Sequence, residues 1–142
     1  MRLWLETENG GAPSALPGDG VGLCAFCSFA VSRGFGATHP LIALADRLHN
    51  DHGVRMGPLT TFYDADVQDA EDLEKLDRAW QEASGLRDAM AQLVAALRSD
   101  EQAAALARRG GATELESEAV AMVAQLDEPA RAGQRVRMVY AL

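Results

Sequence analysis

Apolar residues recur at helical spacing most clearly between Leu73 and Leu97. Leu73, Leu76, Trp80, Ala83, Leu86, Met90, Leu93 and Leu97 are separated by 3, 4, 3, 3, 4, 3 and 4 positions. That spacing predicts one long amphipathic helix beginning near Asp66, and its two successive gaps of three place a bend or division at Ser84-Gly85. A second helix is expected from Thr38-His39-Pro40, with Leu41, Leu44, Ala45 and Leu48 on one face and Gly53 at its end. The run Val21 to Arg33 is apolar from Leu23 to Val31 except at Ser28, so periodicity does not separate buried helix from buried strand. Its length and the stop signal Arg33-Gly34 favour helix.

Ser99-Asp100-Glu101-Gln102 has capping-box form and predicts a short alanine-rich helix stopped by Gly110-Gly111. Thr113-Glu114-Leu115-Glu116 repeats that form and opens a helix with Leu115, Ala119, Met122, Val123 and Leu126 inward, Pro129 lying just beyond its end. Strand patterns occur at both termini. Met1 to Thr7 sets Leu3 and Leu5 against Trp4, which predicts a strand covered on both faces. Gln134 to Leu142 alternates Val136, Met138 and Tyr140 with Arg135 and Arg137, the pattern of a half-exposed strand. Leu59 to Tyr63, after Gly57-Pro58, predicts a third short strand. Between Glu8 and Gly22 the density of glycine and proline predicts a long mobile loop and a candidate contact surface. The expected fold is α+β: a small two- or three-stranded sheet formed by the terminal strands, packed against four to six helices in one domain of 142 residues.

Composition narrows the function classes. With 48% hydrophobic and 24% charged residues the chain has an ordinary globular make-up, which argues against disorder. The formal net charge of −8 makes binding to a nucleic-acid backbone unlikely. Residues 1–63 carry 4 basic and 5 acidic side chains, and 64–142 carry 9 and 16, so the second half holds the excess. No apolar run reaches membrane-spanning length, and Glu6 interrupts any leader core, so a cytoplasmic protein is expected. Twelve arginines against the single Lys75, with abundant alanine, point to a GC-rich bacterial host.

The acidic excess is concentrated. Asp64, Asp66, Asp69, Glu71, Asp72, Glu74 and Asp77 put seven carboxylates within 14 residues. The first six of them are the candidate contact residues for a protein partner, a basic one being complementary to them. The set does not fit a calcium loop: the glycine position holds Asp69 and the terminal acid position holds Lys75. The bland reading is that acids favour a helix N-terminus and its solvated face.

Cys24-Ala25-Phe26-Cys27 has the spacing of a thiolate pair for zinc or for redox chemistry, with His49 and His52 as further ligands. The 21 residues between Cys27 and His49, and the H-x2-H spacing, both miss the zinc-finger pattern. The bland reading makes both cysteines core residues and both histidines partners of a helix C-terminus. Gly18-Asp19-Gly20-Val21-Gly22 lacks the lysine and hydroxyl of a phosphate loop. A nucleophile would have only His39, His49 or His52 for a base, and no catalytic motif surrounds them.

The expectation is therefore an acidic regulatory module, without a cofactor, that binds another protein. Open sheet edges predict twofold pairing into a homodimer. Two alternatives stand beside it: a zinc-binding or thiol-redox protein centred on Cys24 and Cys27, and an inhibitor or immunity-like protein imitating nucleic-acid charge.

Overall fold

A computed structural model describes residues 1–33 and 38–142. Among the described residues the architecture is α+β: seven helices pack against one small mixed sheet of four strands, with the C-terminal strand at its centre and the N-terminal strand at an edge. The chain runs β1 (Arg2–Thr7), α1 (Val21–Ala30), α2 (Pro40–His52), α3 (Met56–Leu59), β2 (Phe62–Asp64) and α4 (Ala70–Asp77). It continues through β3 (Gln81–Glu82), α5 (Ala83–Ser99), α6 (Glu101–Arg109), α7 (Leu115–Arg131) and β4 (Arg135–Ala141).

Strand β4 is bonded to every other strand. β1 pairs with it antiparallel along one side, and β2, parallel, and β3, antiparallel, share the other. The expected half-exposed terminal strand is thus the central one. Val136 and Met138 face the helices and are buried, and Val139, on the opposite face, is buried as well. The register sets Trp4 beside Val139 and Val139 beside Tyr63, so the outer face carries an aromatic row. Side chains, not a second layer, cover most of that face: Arg137 bonds Glu6 at 2.8 Å and the Leu76 carbonyl at 3.1 Å, and its guanidinium lies over the Trp80 ring. Arg2 covers the Trp4 ring in the same way.

The long helix expected over 66–97 is divided, but not at Ser84-Gly85, which lies within α5. The break falls at Arg78–Glu82, where Gln81 and Glu82 pair with β4 and Trp80 is held by Arg137. Sheet pairing supplies the backbone bonds that a continuing helix would have made. Only the second half of the stripe, Ala83, Leu86, Met90, Leu93 and Leu97, enters the core. α4 has no buried residue, and Leu73 is 51% exposed.

Local signals shift other boundaries. Leu59 closes the turn α3 and is buried there, so the strand expected at 59–63 begins instead at Phe62. Asp100, not Ser99, caps α6, its Oδ1 accepting from the amides of Gln102 and Ala103. Glu114, with no side-chain bond, takes the cap position of α7 instead of Thr113, and Pro129 lies inside that helix. The 8–22 segment is not loop throughout. Pro17–Gly20 form a 3-10 turn that buries Leu16, and α1 begins at Val21. Gly20 has φ of +70°, and a Cβ there would stand 2.8 Å from Leu16 and 3.2 Å from Leu3. The turn therefore lies against β1, where Leu3 is fully buried.

α1 is a helix, as length favours, and it ends at Ala30; the stop residue Gly34 lies outside the described residues. Its start is fixed from a distance. Glu118 of α7, only 2% exposed, accepts from the Gly22 amide at 3.0 Å and the Leu23 amide at 3.3 Å through one oxygen. α1 has no capping side chain of its own, so this carboxylate satisfies two of its orphan donors. Its other oxygen lies 2.7 Å from where a Gly22 Cβ would be, which excludes any larger residue at 22 without rearrangement.

Burial raises the Glu118 carboxyl above its ordinary value, against the lowering effect of the two amide bonds. A raised folded-state pKa means that stability is fullest below the unfolded value and is lost as pH rises through the folded one. Glu118→Gln keeps an acceptor and does not ionise, so its stability relative to wild type should improve as pH rises from about 4 to about 7. Glu118→Ala leaves two buried amides without an acceptor and should cost about 1–3 kcal/mol in urea unfolding. Equal stability of the alanine variant and wild type would show that the bond does not hold α1.

Candidate functional site

The acidic stretch folds into β2, a turn and α4, and its carboxylates divide by task. Asp69 caps α4 by accepting from the Asp72 amide at 2.9 Å, and Asp72 reaches back to the Gln68 amide at 3.1 Å. Asp64 accepts from the Asp66 amide at 2.9 Å, turning the chain out of β2, and Asp66 accepts from the Gln68 side chain. Glu71 pairs with Lys75 and Glu74 with Arg78, both on the exposed surface of α4, where such pairs contribute little.

Three of the six candidates converge. Asp64, Asp66 and Asp72 line an open groove of about 460 Å³ together with Phe62, Tyr63, Tyr140 and Lys75, whose ammonium pairs with Glu71. Asp69, Glu71 and Glu74 do not line it. The Phe62 and Tyr140 rings meet edge to face with centroids 5.7 Å apart, so the floor is a packed aromatic surface. Burial, with the neighbouring Asp64 charge, holds the Tyr140 hydroxyl above its ordinary value, which keeps it a neutral donor.

Among the described residues β2 has a strand on one side only. The Ala65 amide donates to the Tyr140 carbonyl at 2.8 Å. Alternation along a parallel ladder therefore turns the main-chain groups of Phe62 and Asp64 away from β4. The groove thus combines unpaired backbone, aromatic surface and carboxylates.

The four candidate metal ligands are not brought together. No group of three or more histidine, cysteine, aspartate or glutamate side chains is arranged to hold a metal among the described residues. Cys24 and Cys27 share the inward face of α1, both essentially inaccessible. Burial raises both thiols, most of all Cys27, which opposes formation of the nucleophilic thiolate. His52 Nε2 lies 2.8 Å from Asp100 Oδ2, which Arg47 also binds at 2.6 Å. These partners hold the Asp100 carboxyl far below its ordinary range and tie α2 to the α5–α6 junction. His49 Nδ1 lies 3.4 Å from the Val54 carbonyl just past the helix end. His39 caps α2 by accepting from the Leu41 amide and stacks on Phe29 at 3.8 Å.

Sequence reasoning missed Tyr63 and Tyr140 as groove residues, and no local motif marks them. It also missed Glu118, for which a signal existed: a charged residue on the inward stripe of Leu115, Ala119, Met122 and Leu126. No protein family, curated protein or solved structure matches the chain. No described helix is long and apolar enough to cross a membrane.

The thiols provide a direct check on the cysteine-centred alternative. In the folded protein neither should react with a disulfide reagent within minutes, whereas both should react at once in denaturant. Rapid labelling of Cys24 in the native state would restore that alternative.

Proposed function

We propose that this chain is a binding module, without catalysis of its own, that takes an extended basic segment of another protein along the β2 groove. The observation that carries the reading is the junction of the unpaired β2 edge with Asp64, Asp66 and Asp72 over the Phe62, Tyr63 and Tyr140 surface. An added strand would bond to the main-chain groups of Phe62 and Asp64. Its lysine or arginine side chains would meet the carboxylates, and its apolar side chains the rings. The charge distribution supports the same reading, because residues 64–142, which supply Asp64, Asp66 and Asp72, hold 16 acidic against 9 basic residues. Glu71 and Glu74 lie outside the groove on the exposed side of α4, where Lys75 and Arg78 pair with them, so they add little net charge to it.

The test uses a peptide of about seven residues alternating arginine and valine, compared with one carrying glutamine for arginine. Calorimetry should show the arginine peptide binding and weakening with salt, since exposed charges are screened within about 8 Å at physiological ionic strength. The combined variant Asp64→Asn, Asp66→Asn, Asp72→Asn keeps the turn and cap acceptors and removes the charge. Its affinity should fall about tenfold or more, with a shallower salt dependence. Equal binding of the two peptides, or an unchanged affinity of the triple variant, would refute the reading.

A further inference from the structure

The corner that follows β1 carries chemistry that the groove does not use. Asn9 is exposed and precedes Gly10, and the two close a turn in which the Gly10 amide donates to the Thr7 carbonyl at 3.0 Å. The side-chain carbonyl of Asn9 is held from two directions: the Thr7 hydroxyl donates to its Oδ1, and the Gly11 amide reaches the same oxygen at 3.4 Å. Donors at that oxygen stabilise the negative charge it gains when a nucleophile adds to Cγ. The adjacent nucleophile is the Gly10 nitrogen, whose addition closes a succinimide ring. Gly10 has φ of +80° and open space where a Cβ would stand, so no side chain obstructs the approach. Ring closure needs rotation about the Asn9 Cα–C bond. That rotation breaks the Gly10 bond to Thr7 and leaves the Asn9 side chain where the Thr7 hydroxyl holds it. The chain beyond can follow, because residues 10–16 belong to no helix or strand.

We propose that Asn9 is a site of self-modification, converted to aspartate and isoaspartate through a succinimide with Gly10 while the Thr7 hydroxyl polarises its carbonyl. Hydroxide takes the Gly10 amide proton, the nitrogen forms its bond to Cγ, and Oδ1 gains the negative charge. Collapse of that adduct breaks the Cγ–Nδ2 bond, and the nitrogen leaves as ammonia with its third proton from water. Water then opens the ring at either carbonyl. Cleavage at Cγ gives aspartate, cleavage at the main-chain carbonyl gives isoaspartate, and the Gly10 nitrogen regains a proton in both. The balance is a water consumed and an ammonia released, with no change of oxidation state. Asn50, the other asparagine, lies within α2, where the helical ladder fixes the backbone around it against such rotation. The product places a new carboxylate beside Glu8, whose side chain is bound by Arg135 and whose amide donates to the Arg135 carbonyl at 3.0 Å. Isoaspartate also lengthens the main chain next to that bond, where the pairing of β1 with β4 ends.

Incubation of the folded protein in mildly alkaline buffer, followed by anion exchange and peptide mapping by mass, tests the proposal. An acidic form should grow over days, heavier by one mass unit at Asn9 and unchanged at Asn50. Asn9→Gln should suppress it, because the longer side chain closes its ring far less readily. Thr7→Val, shown by thermal melting to be folded, should slow the conversion about twofold to tenfold, the effect of one hydrogen bond on the barrier. Thr7→Ser keeps the hydroxyl and should react at close to the wild-type rate. No acidic form at Asn9, an equal rate in Thr7→Val and wild type, or an acidic form that persists in Asn9→Gln would each overturn the proposal.

Discussion

The sheet depends on one strand at the end of the chain. β4 offers one side to β1 and divides the other between β2 and β3, so no two of those three strands are bonded to each other. Removing its hydrogen bonds would leave three isolated segments, two of them three residues long or less. Such strands do not persist alone, since a short strand orders several residues for very few bonds. Both faces of β4 reflect this position. Val136 and Met138 reach into the helical core, and Val139 is sealed between Trp4 and Tyr63. The groove inherits the same dependence, because β2 carries Asp64 and its aromatic neighbours and is placed only by its parallel pairing with Phe62 opposite Met138.

Glu118 performs the corresponding task on the helical side. α1 begins after residues Gly18, Asp19 and Gly20 in left-handed conformation, a start that leaves its first amides facing protein and not water. A buried carboxylate is costly by itself, yet at a helix N-terminus it meets oriented donors and the positive end of the dipole, which offset part of the desolvation. The close fit of its second oxygen at Gly22 keeps α1 and α7 in contact. That contact sets the inward face of α1, on which Cys24 and Cys27 are shielded from solvent. The shielding of the thiols thus follows from packing set by a residue about 95 positions away in the chain.

What was legible in the sequence was local. Helix faces in α2, α5 and α7, the helical character of α1 and the two terminal strands all follow from periodicity and punctuation within a short window. What was not legible depended on partners distant in sequence. The 3-4 spacing of Leu73, Leu76 and Trp80 continues the α5 stripe, and only pairing of Gln81 and Glu82 with β4 divides it. Likewise, the reading of β4 as half exposed followed Arg135 and Arg137 as ordinary solvent positions, whereas Arg137 is largely buried between Glu6 and Trp80. The acidic stretch was visible as composition. Its separation into cap, turn and groove carboxylates needed the turn geometry between β2 and α4.

That separation bears on how an excess of negative charge is tolerated. The most enclosed carboxylates are each matched: Glu118 by two amides, and Asp100 by Arg47, His52 and the α6 amides. The outer face of α5 and α7 balances its own charges end to end. Asp64, Asp66 and Asp72, without an ion-pair partner among the described residues, line an open aromatic floor at the sheet's side together with Lys75. Three carboxylates around one opening make the local potential negative, and Lys75 on the same wall offsets part of it. If the groove takes a basic segment, as proposed, that potential is the source of preference for it over a neutral segment of the same shape.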